Sequence, residues 1–537
     1  MAPGTDQPAK EPPANQDVEV FWRLKEREGF SFASGAQPEW GPIRLQAQVL
    51  PVRTIRIGLN PTRFSPSGDV LAEFDTSTQQ QHQHITITAT GPFVLMELSP
   101  NPTAQVAPGQ NGVQALCGDT AIPVAVEQAG AEFSFTATSG GIIIAAPWGS
   151  FVSPTALCAA PLSDNAFLVV TSLRRRNLNR AGNPFEPPRY RGVLEIRHSQ
   201  SFAGAEVPTP PLSDPGANSA AEGPRLRLIN ILDLEEYLQG VVTNEMPASF
   251  HPEALRAQAV AARTFALANI GRFADLGFDL DDSTRSQVYR GVLSEHPNGT
   301  AAVRSTQGLV VVRDGVLIPT FYSSSMGGHT EGNEWIFNSP SDQLPGMNAH
   351  PALRPIHDGD FPVPADLSTE DGALRFYSET WDHFDSPGRS GNPYYRWVVS
   401  RPAAFIADRL LSRYGISLGP ITALIPLLRS PSGRIARLQI VGERGTFILQ
   451  GWRTLRDFFD LRNSPSAIVS RSETDGTLSF TFYGGGWGHN VGLSQYGAHG
   501  RGRSGQTFRE ILAAYYTGAK VVSIEEAISL WERKVLR

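Results

Sequence analysis

Apolar and polar residues alternate over VRTIRIGLNP from Val52 and over HITITATG from His84, the period-two pattern of half-buried strands. The segments YRGVLEIRH (190–198) and RLRLINILDL (225–234) read as a strand pair, joined by a Pro/Ser/Gly/Ala-rich stretch from Val207 to Pro224 that reads as a surface insertion. The apolar run Tyr237–Val242 reads as a further strand, which places Glu245 at a strand-to-helix junction ahead of Met246-Pro247. From Pro252 the period changes. Leu255, Ala259, Ala262 and Ala266 recur at i, i+4, i+7 and i+11, predicting a helix over 252–270 with Pro252 as its first residue and its end near Gly271. Its inward face is mostly alanine, so another backbone can approach it closely. The fold class expected is α+β: a strand-rich mixed fold with a tightly packed Ala-rich helix.

Length and composition narrow this picture. A chain of 537 residues exceeds what one core organises, so two or three units are expected: residues 1–16 disordered, 17–190 strand-rich, and 191–537 carrying the chemistry. Gly 51 and Pro 42 against Met 5 and Trp 9 agree with many turns and short elements. A net charge of −6 offers no basic field for nucleic acid. The longest apolar stretch, Ile142–Trp148, is far short of the roughly 20 residues that a membrane helix needs, so no transmembrane segment is expected. The opening MAPGTDQPAKEPPANQ has no apolar core of a secretory signal, so either a signal has been removed or omitted or the protein is cytosolic. Cys117 and Cys158 form either one disulfide or two buried thiols. The polar run QQQHQH, with His82 and His84, reads as a solvated loop, and RRRNLNR (174–180) as an exposed turn, with contact to an anionic polymer as the lesser alternative.

Three segments carry residues that core packing does not explain: EEYLQGVVTNEMPASFHPEALRAQAVAARTFAL (235–267), TFYSSSMGGHTEG (320–332) and YGGGWGHNVGLSQYGAHG (483–500). Glu245, at a corner partly withdrawn from water, is the candidate general acid and base. Its rivals are Glu236, Glu331 and Glu253, the last explained by its place in the first helical turn. In the second segment, Tyr322, Ser324, Ser325, His329 and Thr330 are candidate saccharide contacts, because two glycines admit a close backbone approach beside several short hydrogen-bonding arms. The third offers an aromatic for stacking and His489, Ser494, Gln495 and Tyr496 as donors or acceptors. A serine nucleophile served by His329 lacks a G-x-S-x-G elbow and an evident Asp partner. No metal or other cofactor is expected, since HExxH, CxxC and any cysteine beyond 158 are missing.

Together these segments resemble the SpoIID/LytB family, and QVYRG (287–291), AVRSTQGLVVVRDG (302–315) and LRDFFDLRNS (455–464) fall in that family's order and spacing. The resemblance covers roughly Leu194 to Tyr516 and makes 191–537 the catalytic domain, with its core motifs at 235–332 and 483–500, beside an extended substrate groove. It implies a peptidoglycan lytic transglycosylase, with Glu245 as the acid of the E-M-P motif, cutting between N-acetylmuramic acid and N-acetylglucosamine to leave a 1,6-anhydro end. The runner-up is a wall-binding enhancer of an N-acetylmuramoyl-L-alanine amidase. The partners implied are glycan strands and a cell-wall amidase, in the periplasm or the extracellular wall. It also places Gln258 and Arg263 near the groove, where Arg263 either orients Glu245, contacts substrate or serves a structural ion pair. Asn490 stands where the family has glycine, Leu493 where it has methionine, and Phe250 where it has tryptophan. Asn490 is expected to take a positive φ, which asparagine tolerates.

Overall fold

Strand β1 (Thr54–Gly58) pairs antiparallel not with its sequence neighbours but with a strand more than 160 residues away, and that pairing organises the molecule. The computed structural model describes residues 54–78, 80–98, 116–117, 121–199, 224–337, 349–472, 474 and 476–535, so residues 1–16 and the insertion from Val207 up to residue 223 lie outside the described part. The expected strand pair is present: β2 (Val193–His198) and β3 (Leu226–Asp233) run antiparallel, with Leu194 opposite Asn230. They form the middle of a seven-stranded sheet ordered Leu280–Asp281, β1, β3, β2, Leu157–Pro161, Phe93–Glu97, Ile122–Glu127. This sheet takes strands from both sides of residue 190.

A six-stranded antiparallel sheet lies against it, from Arg189–Tyr190 through Leu168–Val170, His84–Ala89, Phe133–Thr138 and Gly141–Ala146 to Gly149–Ser153. Ile55, Ile57, Leu194 and Leu228 of the first sheet share one core with Ile85, Ile87, Phe133 and Ile144 of the second. The same core continues into two helices, α1 (Leu234–Glu245) and α2 (Pro252–Ala268). Sheets and helices share that core, and the architecture is α+β.

The helix α1 corrects the reading of Tyr237–Val242 as a strand. Its large buried apolar residues Leu234, Tyr237, Leu238, Val241 and Val242, together with Glu245, fall at i, i+3, i+4, i+7, i+8 and i+11, which is one face of a helix. Asp233 caps it, accepting from the N–H of Glu235 at 2.8 Å and of Glu236 at 3.3 Å. Met246 is extended, as a residue before proline prefers, and the helix ends there. In α2, Pro252 is the first residue, as expected, and the capping acceptor is the His251 ring. Ala257, Ala259, Ala261 and Ala262 are fully buried on opposite sides, so α2 is a central rod rather than a surface helix.

Two polar runs are placed differently from expectation. His82 is buried and its ring nitrogen lies 2.9 Å from Leu59 O, so it is not on a solvated loop. Within RRRNLNR, Arg175 is fully buried in an ion pair with Asp282 at 2.8 Å, because the segment folds across the end of β1 rather than turning outward. Cys117 and Cys158 form a disulfide. Beyond the second motif, residues 397–482 build a separate apolar cluster from two three-stranded sheets and the helices Ala403–Tyr414 and Trp452–Phe459.

Candidate functional site

Glu245 is the last residue of α1, on the helix's inward face, with 9% of its surface exposed. Its Oε1 accepts the backbone N–H of Val288 at 2.7 Å. The preceding residue, Gln287, spans two phenols: its Nε2 donates to Tyr322 Oη at 2.8 Å and to Ala262 O at 3.3 Å, and its Oε1 accepts from Tyr237 Oη at 3.3 Å. Burial raises both phenols well above their ordinary range, with the nearby Glu245 carboxylate as the next cause, so both remain protonated donors. The neighbouring Asn244 is held by Ser294 Oγ and by Arg290, which is itself paired with Glu73 at 2.7 Å. A residue from the strand-rich amino-terminal part thereby braces the end of α1.

The second and third motifs are joined backbone to backbone. Strands β4 (Tyr322–Ser323) and β5 (Leu493–Ser494) run parallel, with Tyr322 opposite Leu493 and Ser323 opposite Ser494. Further bridges link Ser325 to Trp487 and Glu331 to Val491. The glycines permit this contact. A Cβ on Gly327 would lie 2.5 Å from Gly485 C, and one on Gly486 would lie 2.3 Å from Ser325 O. Asn490 takes φ +65°, as expected, and its Nδ2 donates to Ser325 O at 2.8 Å.

The third motif also docks on α2 through helix α3 (Gln495–Arg503). Gln495 Nε2 donates to Gln258 Oε1 at 3.2 Å, and Phe250 meets the Tyr496 ring at 5.0 Å and the His499 ring at 4.4 Å between centroids. Thr320 Oγ1 donates to Ala261 O at 2.7 Å, so all three motifs meet on the alanine-rich helix. Two polar atoms at this junction, Gln258 Nε2 and Ser324 Oγ, are buried without a hydrogen-bond partner among the described residues.

The remaining candidates divide by what they touch. Arg263 makes a two-point contact with the Glu235 carboxylate, at 2.7 and 2.6 Å, and reaches Leu309 O. Ser325 donates to Asp385 and accepts from Asn392, and Thr330 Oγ1 bonds the backbone of Arg354 and Ile356. Ser494 caps α3 by accepting the Gly497 N–H, and Tyr496 is fully buried. Glu331, the second suspect carboxylate, is buried beneath Ser430, Ser432 and Arg434, and burial raises its pKa despite them. His329 donates from Nδ1 to Thr330 O at 2.8 Å, and His489 Nδ1 accepts the Val491 N–H at 3.0 Å. Burial lowers both rings to about 4.

A cleft of about 620 Å³ opens beside the second motif, lined by His329, Trp335, Asp366, Leu428, Arg429 and Ser430 among others; Glu245 is not in its lining. Among the described residues, no group of three or more His, Cys, Asp or Glu is placed to hold a metal. Sequence reading did not single out Gln287, Tyr237 or Val288, because a bridging amide and a backbone donor carry no pattern of their own. Residues 287–291 were legible only as a segment in the right place.

Comparison with known proteins gives two family matches. Residues 222–312 match the family described as stage II sporulation protein, and residues 345–492 match one described as a domain of unknown function. The stage II sporulation protein D of Bacillus amyloliquefaciens is 29% identical over 324 residues, covering 56% of this chain and 78% of that protein. The amidase enhancer of Bacillus subtilis (strain 168) is 30% identical over 301 residues, covering 53% of this chain but only 40% of that protein. An uncharacterized protein of Brachyspira hyodysenteriae is 29% identical over 296 residues, covering 55% of this chain and 68% of that protein.

Proposed function

Because this chain belongs to the SpoIID/LytB family, with a cell-wall-related role, we propose that it is a peptidoglycan lytic transglycosylase in which Glu245 is the single general acid and base. The observation that carries this reading is the meeting of three motifs on α2 beside a carboxyl group whose position is fixed by the Val288 N–H. A glycosidic bond normally needs two carboxyl groups. One is enough where the substrate supplies the nucleophile. Glu245 gives its proton to the leaving oxygen of N-acetylglucosamine as the bond to C1 of N-acetylmuramic acid breaks. The 6-hydroxyl of the same muramic acid then closes on C1, its proton returns to Glu245, and a 1,6-anhydro end results.

The donors around Glu245 suit this task. Tyr322 Oη accepts from Gln287 Nε2 and keeps its own O–H for another acceptor, while Tyr237 holds Gln287 in place by donating to its Oε1, and electrostatic stabilisation by a fixed donor needs no reorganisation during the reaction. Gln258 Nε2 and Ser324 Oγ, which have no hydrogen-bond partner among the described residues, are the further groups offered to saccharide hydroxyls or to the water they displace.

The disulfide between Cys117 and Cys158 supports an oxidising compartment, hence a periplasmic or wall location. Among the described residues no helix is long and apolar enough to cross a membrane. The relative named amidase enhancer favours a second reading, in which the chain binds glycan strands and stimulates an amidase without cutting them. Product analysis of digested sacculi separates the readings. Anhydro-ended fragments support the transglycosylase, reducing ends indicate hydrolysis, and intact strands with a stimulated amidase indicate the enhancer.

A further inference from the structure

The six-stranded sheet ends in a hairpin whose strands Gly141–Ala146 and Gly149–Ser153 are joined through Pro147-Trp148. Trp148 is 58% exposed, so its indole gains little from the core. It is nevertheless held. Its Nε1–H donates to Glu127 Oε1 at 2.8 Å, and its ring lies along that of Phe151 with centroids 5.6 Å apart and planes within 5°. Phe151 in turn packs against the main core. One edge of the indole is tied and one face is covered, which leaves a rigid apolar plane at the surface beside a carboxylate.

That combination suits one ligand class. A pyranose ring presents a flat patch of C–H groups with hydroxyls at its rim; the indole face takes the first and the Glu127 carboxylate accepts from the second. An anionic lipid surface is disfavoured, because residues 121–153 hold Glu127 and Glu132 and no lysine or arginine. Ile143 and Val152, opposite each other in the same hairpin and also exposed, extend the apolar surface along the strands, and the tied indole with its carboxylate is the part of it that offers both a flat face and an acceptor.

The geometry points to Trp148 and Glu127 as a second saccharide-holding subsite, on a hairpin that contributes nothing to the residues around Glu245. It would keep a long N-acetylated glycan strand on the molecule while another stretch lies at the motifs. Only the identity of the sugar rests on the peptidoglycan reading.

The full chain labelled with fluorotryptophan tests this by fluorine NMR. It has nine tryptophans, and the resonance missing from Trp148→Phe belongs to Trp148. Adding the N-acetylglucosamine tetramer should shift that resonance in the unaltered chain and in Glu245→Gln alike. Trp148→Ala, with an unchanged melting temperature, should bind peptide-free glycan strands at least about tenfold more weakly, the size of a lost stacking contact with its covered area. A Trp148 resonance unmoved by the tetramer, or moved instead by phosphatidylglycerol vesicles, overturns the subsite. A shifted resonance without lytic products leaves the subsite standing and removes the transglycosylase reading alone.

Discussion

The Val288 backbone N–H donates to Glu245 Oε1 at 2.7 Å, while the residue before it, Gln287, spaces the Tyr237 and Tyr322 phenols beside the same carboxyl group. One short loop therefore sets both the position of the proposed acid and the donors around it.

Gln287→Leu removes that spacing. It leaves the Tyr322 and Tyr237 hydroxyls and Ala262 O without the amide, so stability should fall by about 1–3 kcal/mol. Turnover on sacculi should fall by about tenfold, more than glycan binding falls, because the loss is of groups poised for the transition state. Unchanged turnover in a folded variant contradicts the role given to Gln287.

Arg263 is expected to act on stability alone. Its guanidinium is buried against Glu235, which keeps 20% of its side chain in water. Arg263→Met should destabilise by about 3 kcal/mol, since one member of a mostly buried pair is left behind. The folded variant should bind glycan strands as the parent does, measured by co-sedimentation with sacculi.

Much of this arrangement was legible beforehand. The strand pair of β2 and β3 and the helix from Pro252 follow from period and punctuation, and the positive φ of Asn490 from the glycine that stands there in the family its motifs resemble. The helix α1 was misread because Tyr237, Leu238, Val241 and Val242 look continuous over a short window; only the extension to Leu234 and Glu245 reveals the 3.6-residue spacing. His82 and Arg175 were misplaced for a different reason. A polar residue enters the interior when distant chain supplies its partner, and Leu59 O and Asp282 are not predictable from the local run. The contacts of Arg263 with Glu235 and of Gln287 with Tyr322 are likewise long-range pairings without a sequence signature.

Acid should destabilise the fold through its buried imidazoles. Burial lowers His82, His329 and His489 to about 4, whereas an unfolded histidine titrates near ~6.5. The folded chain binds fewer protons than the unfolded chain between these values. The stability this provides is complete above about pH 6.5 and is lost as pH falls through about 4. Calorimetry from pH 7 down to 4.5 reads this loss together with the opposite gain from Asp282 and Asp358, whose carboxyls burial pushes up to about 6, so His82→Gln, which keeps a donor for Leu59 O, isolates one histidine's share: its melting temperature should fall less, or rise more, on acidification than the parent's. A pH dependence identical in the parent and in His82→Gln contradicts the neutral His82 ring.

The disulfide closes a separation of 41 residues between Cys117 and Cys158. The chain-entropy estimate for such a loop is about 4 kcal/mol, an upper figure because denatured chains retain structure. Reduction should lower the melting temperature markedly, and Cys117→Ala with Cys158→Ala should reproduce the shift without reductant. A melting temperature indifferent to both contradicts a structural role for the bond.

The most direct test is the count of 1,6-anhydro ends released from purified sacculi by the parent chain and by Glu245→Gln at equal concentration. The parent should release them, and the variant should release none while keeping its melting temperature within about 2 °C and still sedimenting with sacculi. Equal release by the two proteins would contradict the assignment of the proton-transferring group to Glu245.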